Sequence, residues 1–218
     1  MKNIAMIGIA GAGKSFAAQY LAVNYEYEIL SFGEPVKQLV AAIFGIYNNM
    51  EQDKARVFIE ANKEKHYAAF LADEITLERS VWLAVERVLP EHKDRAGELY
   101  ELLIKDEKKS PRTFCQLTGT DWGRDKVNKD IWVKEFKKAL KKIDADNFVC
   151  DDVRFPNENK FLMGKKNVTT ILIRTSRESS TDESDHISES HVYDLDFDHE
   201  VVNEFDEVYT QQIESHLE

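Results

Sequence analysis

Glycine and proline are scarce, nine and four in 218 residues, which removes collagen-like and low-complexity readings. Cysteine is scarcer. Cys115 and Cys150 stand far apart and in no metal-ligand spacing, so neither a disulfide framework nor a zinc site is expected, and two buried thiols in a reducing cytoplasm fit. No apolar run approaches the roughly 18 residues of a membrane span. Met1-Lys2-Asn3-Ile4 reaches Gly8 too soon for a secretory apolar region, so the expectation is a cytoplasmic protein without membrane contact. Basic residues are outnumbered, 29 Lys and Arg against 40 Asp and Glu, for a formal net charge of −11. Such a chain lacks the basic face of a nucleic-acid binder, and no direct nucleic-acid binding is expected. A phosphate substrate remains compatible: charges are screened over about 8 Å at physiological salt, so a local basic pocket prevails over a distant acidic surface.

What is present is an ordinary globular composition, 43% hydrophobic and 32% charged, in a length that suits one domain, here 1–218, with an insertion. Residues 3–9, NIAMIGI, read as a buried strand ending in a glycine-rich turn. A helix follows from Lys14 to about Asn24, with Phe16, Ala17, Tyr20 and Leu21 as its apolar stripe. Residues 27–32 form a second strand, and Val36 to about Gly45 a helix. Residues 50–109 hold one proline and one glycine with recurrent helical spacing (Phe58, Ile59, Asn62; Leu77, Val81, Ala84, Val85, Val88) and predict a helical insertion of two or three helices. Ser110-Pro111 predicts a helix start, and Trp132 to Ile143 another helix. Residues 147–151, 168–174 and 199–203 supply three more strands, with a helix through Met163 between the first two and Asp206 capping a last helix. Strands alternating with helices imply a five-stranded parallel sheet covered on both faces, a three-layer α/β/α fold.

Gly8 to Ser15 read GIAGAGKS and satisfy G-x-x-x-x-G-K-[ST] between a strand and a helix, the context the motif requires. Glycines let the backbone wrap a phosphate with N–H groups inward, and the helix N-terminus adds partial positive charge. Lys14 would reach the β- and γ-phosphates and the Ser15 hydroxyl would coordinate Mg²⁺. The nucleotide-binding set expected is Gly11, Ala12, Gly13, Lys14, Ser15 and Phe16. ATP is the expected nucleotide, since no N/T-K-x-D guanine signature appears.

Two further segments carry chemistry. The stretch 111–124, PRTFCQLTGTDWGR, with DIWV after it, places Arg112, Arg124, Trp122 and Trp132 within 21 residues. Arginine suits bidentate phosphate contact and tryptophan offers a stacking face to a base. The stretch 148–158, FVCDDVRFPNE, puts two carboxylates at a strand's C-terminal end, where ligands bind in open α/β sheets. The acidic run 178–207 carries twelve acids and no Lys or Arg; Asp194, Asp196 and Asp198 hint at a calcium loop, but its pattern fails at His199 and Phe205.

These four segments, the phosphate loop, SFGEPVK, PRTFCQLTGTDWGR with DIWV, and DDVRFPNE, resemble in order and spacing the phage deoxynucleoside monophosphate kinases, the T-even type among them, from residue 1 to about 205. The resemblance implies an adenylate-kinase-like P-loop fold. It also implies transfer of the γ-phosphate of ATP to a deoxynucleoside 5′-monophosphate of the dGMP, dTMP or hydroxymethyl-dCMP type. It implies Lys14, Asp152, Arg154, Arg174 and Arg177 as catalytic, with Ser15 and Asp152 near the metal. Ser31, Phe32, Lys37, Arg112, Arg124, Trp132, Arg154 and Glu158 would then bind substrate, His186, Ser188 and Glu189 would match a histidine–serine–glutamate cluster, and 175–191 would form a lid. That lid holds one arginine, Arg177, beside Arg174, so charge neutralisation rests on these two or on Arg56 or Arg79 of the insertion. A homodimer through the insertion is a further expectation. Another small-molecule kinase, of dephospho-coenzyme A kinase type, and a non-catalytic nucleotide-binding module stay open as rivals.

Overall fold

The computed structural model describes residues 1–63, 74–106, 110–143, 147–175, 192–206 and 208–217. The expected lid, with Arg177, His186, Ser188 and Glu189, falls almost wholly outside these residues. Two compact units emerge, one of residues 1–32 with 133–218 and one of residues 33–132.

The first unit is built on a five-stranded, all-parallel sheet. Its strands are β1 (Asn3–Ile7), β2 (Glu28–Leu30), β3 (Phe148–Val153), β4 (Val168–Thr175) and β5 (His199–Asn203), in the spatial order β2-β3-β1-β4-β5. β1 pairs with β3 through Ile4↔Val149 and with β4 through Met6↔Ile171. Alternation along the strands divides the side chains between two faces. Ile4, Met6, Val149, Ile171, Ile173 and Val201 pack with Ala17, Ala18 and Leu21 of α1 (Lys14–Tyr25) and with Tyr209 and Ile213 of α9 (Val208–Glu214). On the other face Phe148 meets Phe136 of α7 (Ile131–Leu140) edge to face, and Phe136 also meets Phe161 of α8 (Pro156–Met163). Burial on both faces explains why these strands read as continuous apolar runs. The α1 stripe differs from expectation: the buried side is Lys14, Ala17, Ala18 and Leu21, while Phe16 is 63% exposed.

The second unit is helical. It contains α2 (Glu34–Tyr47), α3 (Gln52–Ala61), α4 (Glu74–Val88), a 3₁₀ turn (Pro90–Arg95), α5 (Ala96–Lys105) and α6 (Pro111–Gln116). It is wider than the insertion expected at 50–109. α2 joins it because both α3 and α4 pack on α2, whose Leu39, Val40, Ala42 and Ile43 are buried. Ser110 caps α6 by accepting from the Thr113 N–H at 3.2 Å, as the Ser-Pro pair predicts. α6 then runs into a π-helical stretch, Leu117–Val127, a wider winding frequent at functional sites. α7 carries the chain back: Trp132 belongs to the helical unit, Val133 onward to the sheet unit.

Candidate functional site

The phosphate loop leaves the C-terminal end of β1, where strand order reverses between its neighbours β3 and β4, the position at which open α/β sheets bind ligands. Lys14 lies over the loop and is buried, its Nζ donating to the carbonyls of Gly8 and Ile9 at 2.7 Å each. Gly13 has φ 99°, and a Cβ there would sit 2.3 Å from Nδ2 of Asn203, so both backbone conformation and space require glycine.

At the end of β3, the neighbouring carboxylates part company. The Ser15 hydroxyl donates to Asp151 Oδ2 at 2.7 Å. Asp152 instead accepts from the Ser31 hydroxyl at 2.5 Å and from the Phe32 N–H at 2.9 Å. Strand alternation is the reason: Asp151 shares the face of Val149, over which α1 lies, and Asp152 the face of Cys150. Of the two aspartates, Asp151 and not the expected Asp152 is the one that stands against Ser15. Ser15 and Asp151 suit a Mg²⁺ ion, which takes one or two protein oxygens and completes its shell with phosphate oxygens and water. No group of three or more His, Cys, Asp or Glu that could hold a metal ion is found among the described residues.

Four other expected residues have partners within the protein. Phe32, buried, stacks on Phe136 at 4.2 Å between centroids. Glu158, 2% exposed, accepts from the N–H groups of Arg154 and Phe155 at 2.9 and 3.0 Å and so shapes the turn that carries Arg154 into α8. Arg174 pairs with Glu200 at 3.0 Å and covers the Tyr193 ring. Trp132, expected to stack on a base, is 2% exposed; its Nε1 donates to the Gly119 carbonyl at 2.7 Å, and its ring lies so close to Gly123 that a Cβ there would be 2.3 Å away. Trp122 is fully buried and donates to the Arg95 carbonyl at 3.0 Å. Neither ring has a face left for a base.

In the helical unit, cations gather around Cys115. Burial pushes this thiol up to about 11, Glu60 adds to the rise, and Lys37, Lys63 and Arg56 oppose it. The backbone N–H of Arg112 donates to the Lys63 carbonyl at 3.1 Å, while the Arg124 guanidinium, on the π-helical stretch, donates to the Lys129 carbonyl at 3.4 Å. Arg56 grips Glu34 with two parallel bonds of 2.6 and 2.7 Å.

The sequence profile for deoxynucleotide monophosphate kinase matches residues 2–211. The chain belongs to that family. The chain is also 28% identical to the deoxynucleoside-5′-monophosphate kinase of Escherichia phage T5, over 97% of this chain and 93% of that protein. The kinase thus has its phosphate loop and β3 carboxylates on the sheet unit, and Lys37, Arg112 and Arg124 on the helical unit. The sequence singles out Asp151 and Asp152 together, and which of two adjacent aspartates faces Ser15 depends on strand face and register. Asn203 and Tyr209, which hold the loop from the far end of the chain, carry no local signal.

Proposed function

We propose that this kinase transfers the γ-phosphate of ATP to a deoxynucleoside 5′-monophosphate of the dGMP, dTMP or hydroxymethyl-dCMP type, in the cytoplasm of the host if phage-encoded. The observation that carries the reading is the phosphate loop with Ser15 on Asp151 at 2.7 Å. The loop N–H groups and the α1 N-terminus bind the triphosphate. Lys14 exchanges the carbonyls of Gly8 and Ile9 for the β- and γ-phosphates. Ser15 and Asp151 would hold Mg²⁺, which supplies neutralisation of phosphate charge when bound. Asp152 positions Ser31 and the end of β2. Each unit has its own candidates for the acceptor's phosphate: Arg154, placed by Glu158, on the sheet unit, and Lys37, Arg112 and Arg124 on the helical unit. An acceptor phosphate near neutral pH needs no strong base, so catalysis is positioning and charge neutralisation.

A homodimer would be built on the exposed Ile75, Trp82 and Leu83 of α4; light scattering that gives only 25.2 kDa would dispose of it.

The test is coupled ATP consumption with Mg²⁺ against the four deoxynucleoside monophosphates, hydroxymethyl-dCMP and the four ribonucleotides. Turnover is expected with a subset of the deoxynucleotides, falling about 10²–10³-fold in Lys14→Ala, the usual cost of losing one preorganised charge-stabilising donor. Asp151→Asn should raise the Mg²⁺ concentration for half-maximal rate, and Asp152→Asn should leave it in place. No turnover with any monophosphate would overturn the reading, and the reverse result for the two aspartates would move the metal assignment to Asp152.

A further inference from the structure

A loop that turns its N–H groups toward phosphate turns carbonyls away from it, and each carbonyl directed into protein requires a donor. Before nucleotide binds, Lys14 serves Gly8 and Ile9. Two further loop carbonyls, of Ala12 and Gly13, receive donors from the opposite end of the chain. Asn203, the last residue of β5 and 3% exposed, donates Nδ2 to the Ala12 carbonyl at 3.0 Å. The Tyr209 hydroxyl donates to the Gly13 carbonyl at 3.1 Å, a carbonyl that also accepts the Ala17 N–H of α1 at 3.0 Å. Asn203 is itself oriented: its Oδ1 accepts the Phe205 N–H at 2.8 Å, in a turn where Phe205 takes the left-handed φ of 64°. The fit is close, since the Asn203 amide occupies the space a side chain at Gly13 would need. Burial raises the Tyr209 phenol, so it stays a donor at neutral pH.

We propose that Asn203 is a positioning residue that sets the loop's affinity for triphosphate, by holding the Ala12 carbonyl turned outward. Without this donor the Ala12 carbonyl is free to rotate toward the phosphate, where its partial negative charge opposes binding, whereas the Gly13 carbonyl stays held by the Ala17 N–H. The inference rests on the kinase reading for the identity of the ligand, but not on the identity of the acceptor.

Three variants of the full chain separate the two roles of Asn203. Asn203→Asp keeps the acceptor for Phe205 but sets a carboxylate oxygen against the Ala12 carbonyl. Asn203→Ala removes both bonds. Tyr209→Phe keeps the ring beside Phe16, stacked at 6.4 Å, and removes only the hydroxyl. Tyr27→Phe is the control, since it deletes a comparable hydroxyl bond, 2.6 Å to the Lys2 carbonyl. The probe is Mg²⁺–tripolyphosphate, which has no base, titrated calorimetrically below the melting transition. Asn203→Asp should weaken it by about tenfold, the range for one lost hydrogen bond, and Tyr209→Phe should leave it near wild type, because the Ala17 N–H still holds the Gly13 carbonyl. The KM for ATP should rise in step, and the KM for the acceptor should not move. Tyr27→Phe should bind as wild type. Wild-type affinity in a folded Asn203→Asp, with or without a lowered melting point, would overturn the proposal. So would equal weakening by Tyr27→Phe. If Asn203→Asp does not fold, Asn203→Ala, expected to weaken binding in the same direction, carries the test alone. Failure of wild type on every monophosphate would count against the kinase reading instead.

Discussion

The sheet unit and the helical unit handle charge in different ways. In the sheet unit, the candidate phosphate site is largely main chain: loop N–H groups, a helix N-terminus, and carbonyls held by Lys14, Asn203 and Tyr209. Its side-chain chemistry is compact, one serine on one aspartate. In the helical unit, charge resides on long side chains, Arg56 on Glu34 and the lysines around Cys115. Backbone donors are placed by chain geometry, so short spacing and glycine reveal them. Long side chains are placed by packing between helices distant in sequence, so spacing does not.

The largest effect expected from breaking this division is in the helical unit. Trp132→Ala removes a buried ring and leaves the Gly119 carbonyl without its 2.7 Å donor. It should cost about 3–5 kcal/mol and lower the melting temperature by roughly 10 °C. Tripolyphosphate affinity, measured while the variant is folded, should match wild type; its loss would show that the phosphate loop depends on helical packing.

Glu34→Gln sharpens the comparison on the charge side, at about 1 kcal/mol because both partners are partly exposed. Burial alone would raise the Glu34 carboxyl, but the bonds and charge of Arg56 outweigh it and hold the group below its ordinary 4.5. The folded state therefore binds fewer protons than the unfolded chain in acid. The stabilisation is complete above 4.5 and is lost as pH falls through the lowered folded value. Denaturant titrations should show the wild-type advantage over Glu34→Gln at pH 7 and its shrinkage in acid; a constant advantage would mean that packing, not ionisation, is responsible.

The smallest effect belongs to the sheet unit. Burial lowers His216, and His199, stacked on it at 4.1 Å, and Lys2 lower it further. Below 6.5 the unfolded chain takes up a proton that the folded one resists, so stability falls as pH drops below 6.5. His216→Phe should reduce that slope by a few tenths of a kcal/mol between pH 7.5 and 5.5. An unchanged slope would assign it to other groups.

Much of the fold was legible. Five strands and the helices between them announced themselves through apolar runs and spacing, and Ser110-Pro111 marked its helix start. Strand ends were less legible. β2 stops at Leu30 because Ser31 and Phe32 turn to Asp152, a partner 120 residues away. The tryptophans of PRTFCQLTGTDWGR and DIWV misled for a related reason: an aromatic side chain suits a base and a core equally, and burial decides which. Phe16 misled in the opposite direction, since an apolar residue one position off the buried face of a helix lies in water.

By itself, the sequence determined what short-range covalent geometry determines: a glycine-rich turn between strand and helix, with a lysine and a hydroxyl at its end, is a phosphate site wherever it occurs. Tertiary structure decided what depends on register and on pairs distant along the chain. It set Asp151 rather than Asp152 against Ser15, because a pleated strand sends successive side chains to opposite faces. It also brought Asn203 and Tyr209 to the carbonyls of residues nearly two hundred positions earlier, because β5 lies beside β4, which pairs with β1.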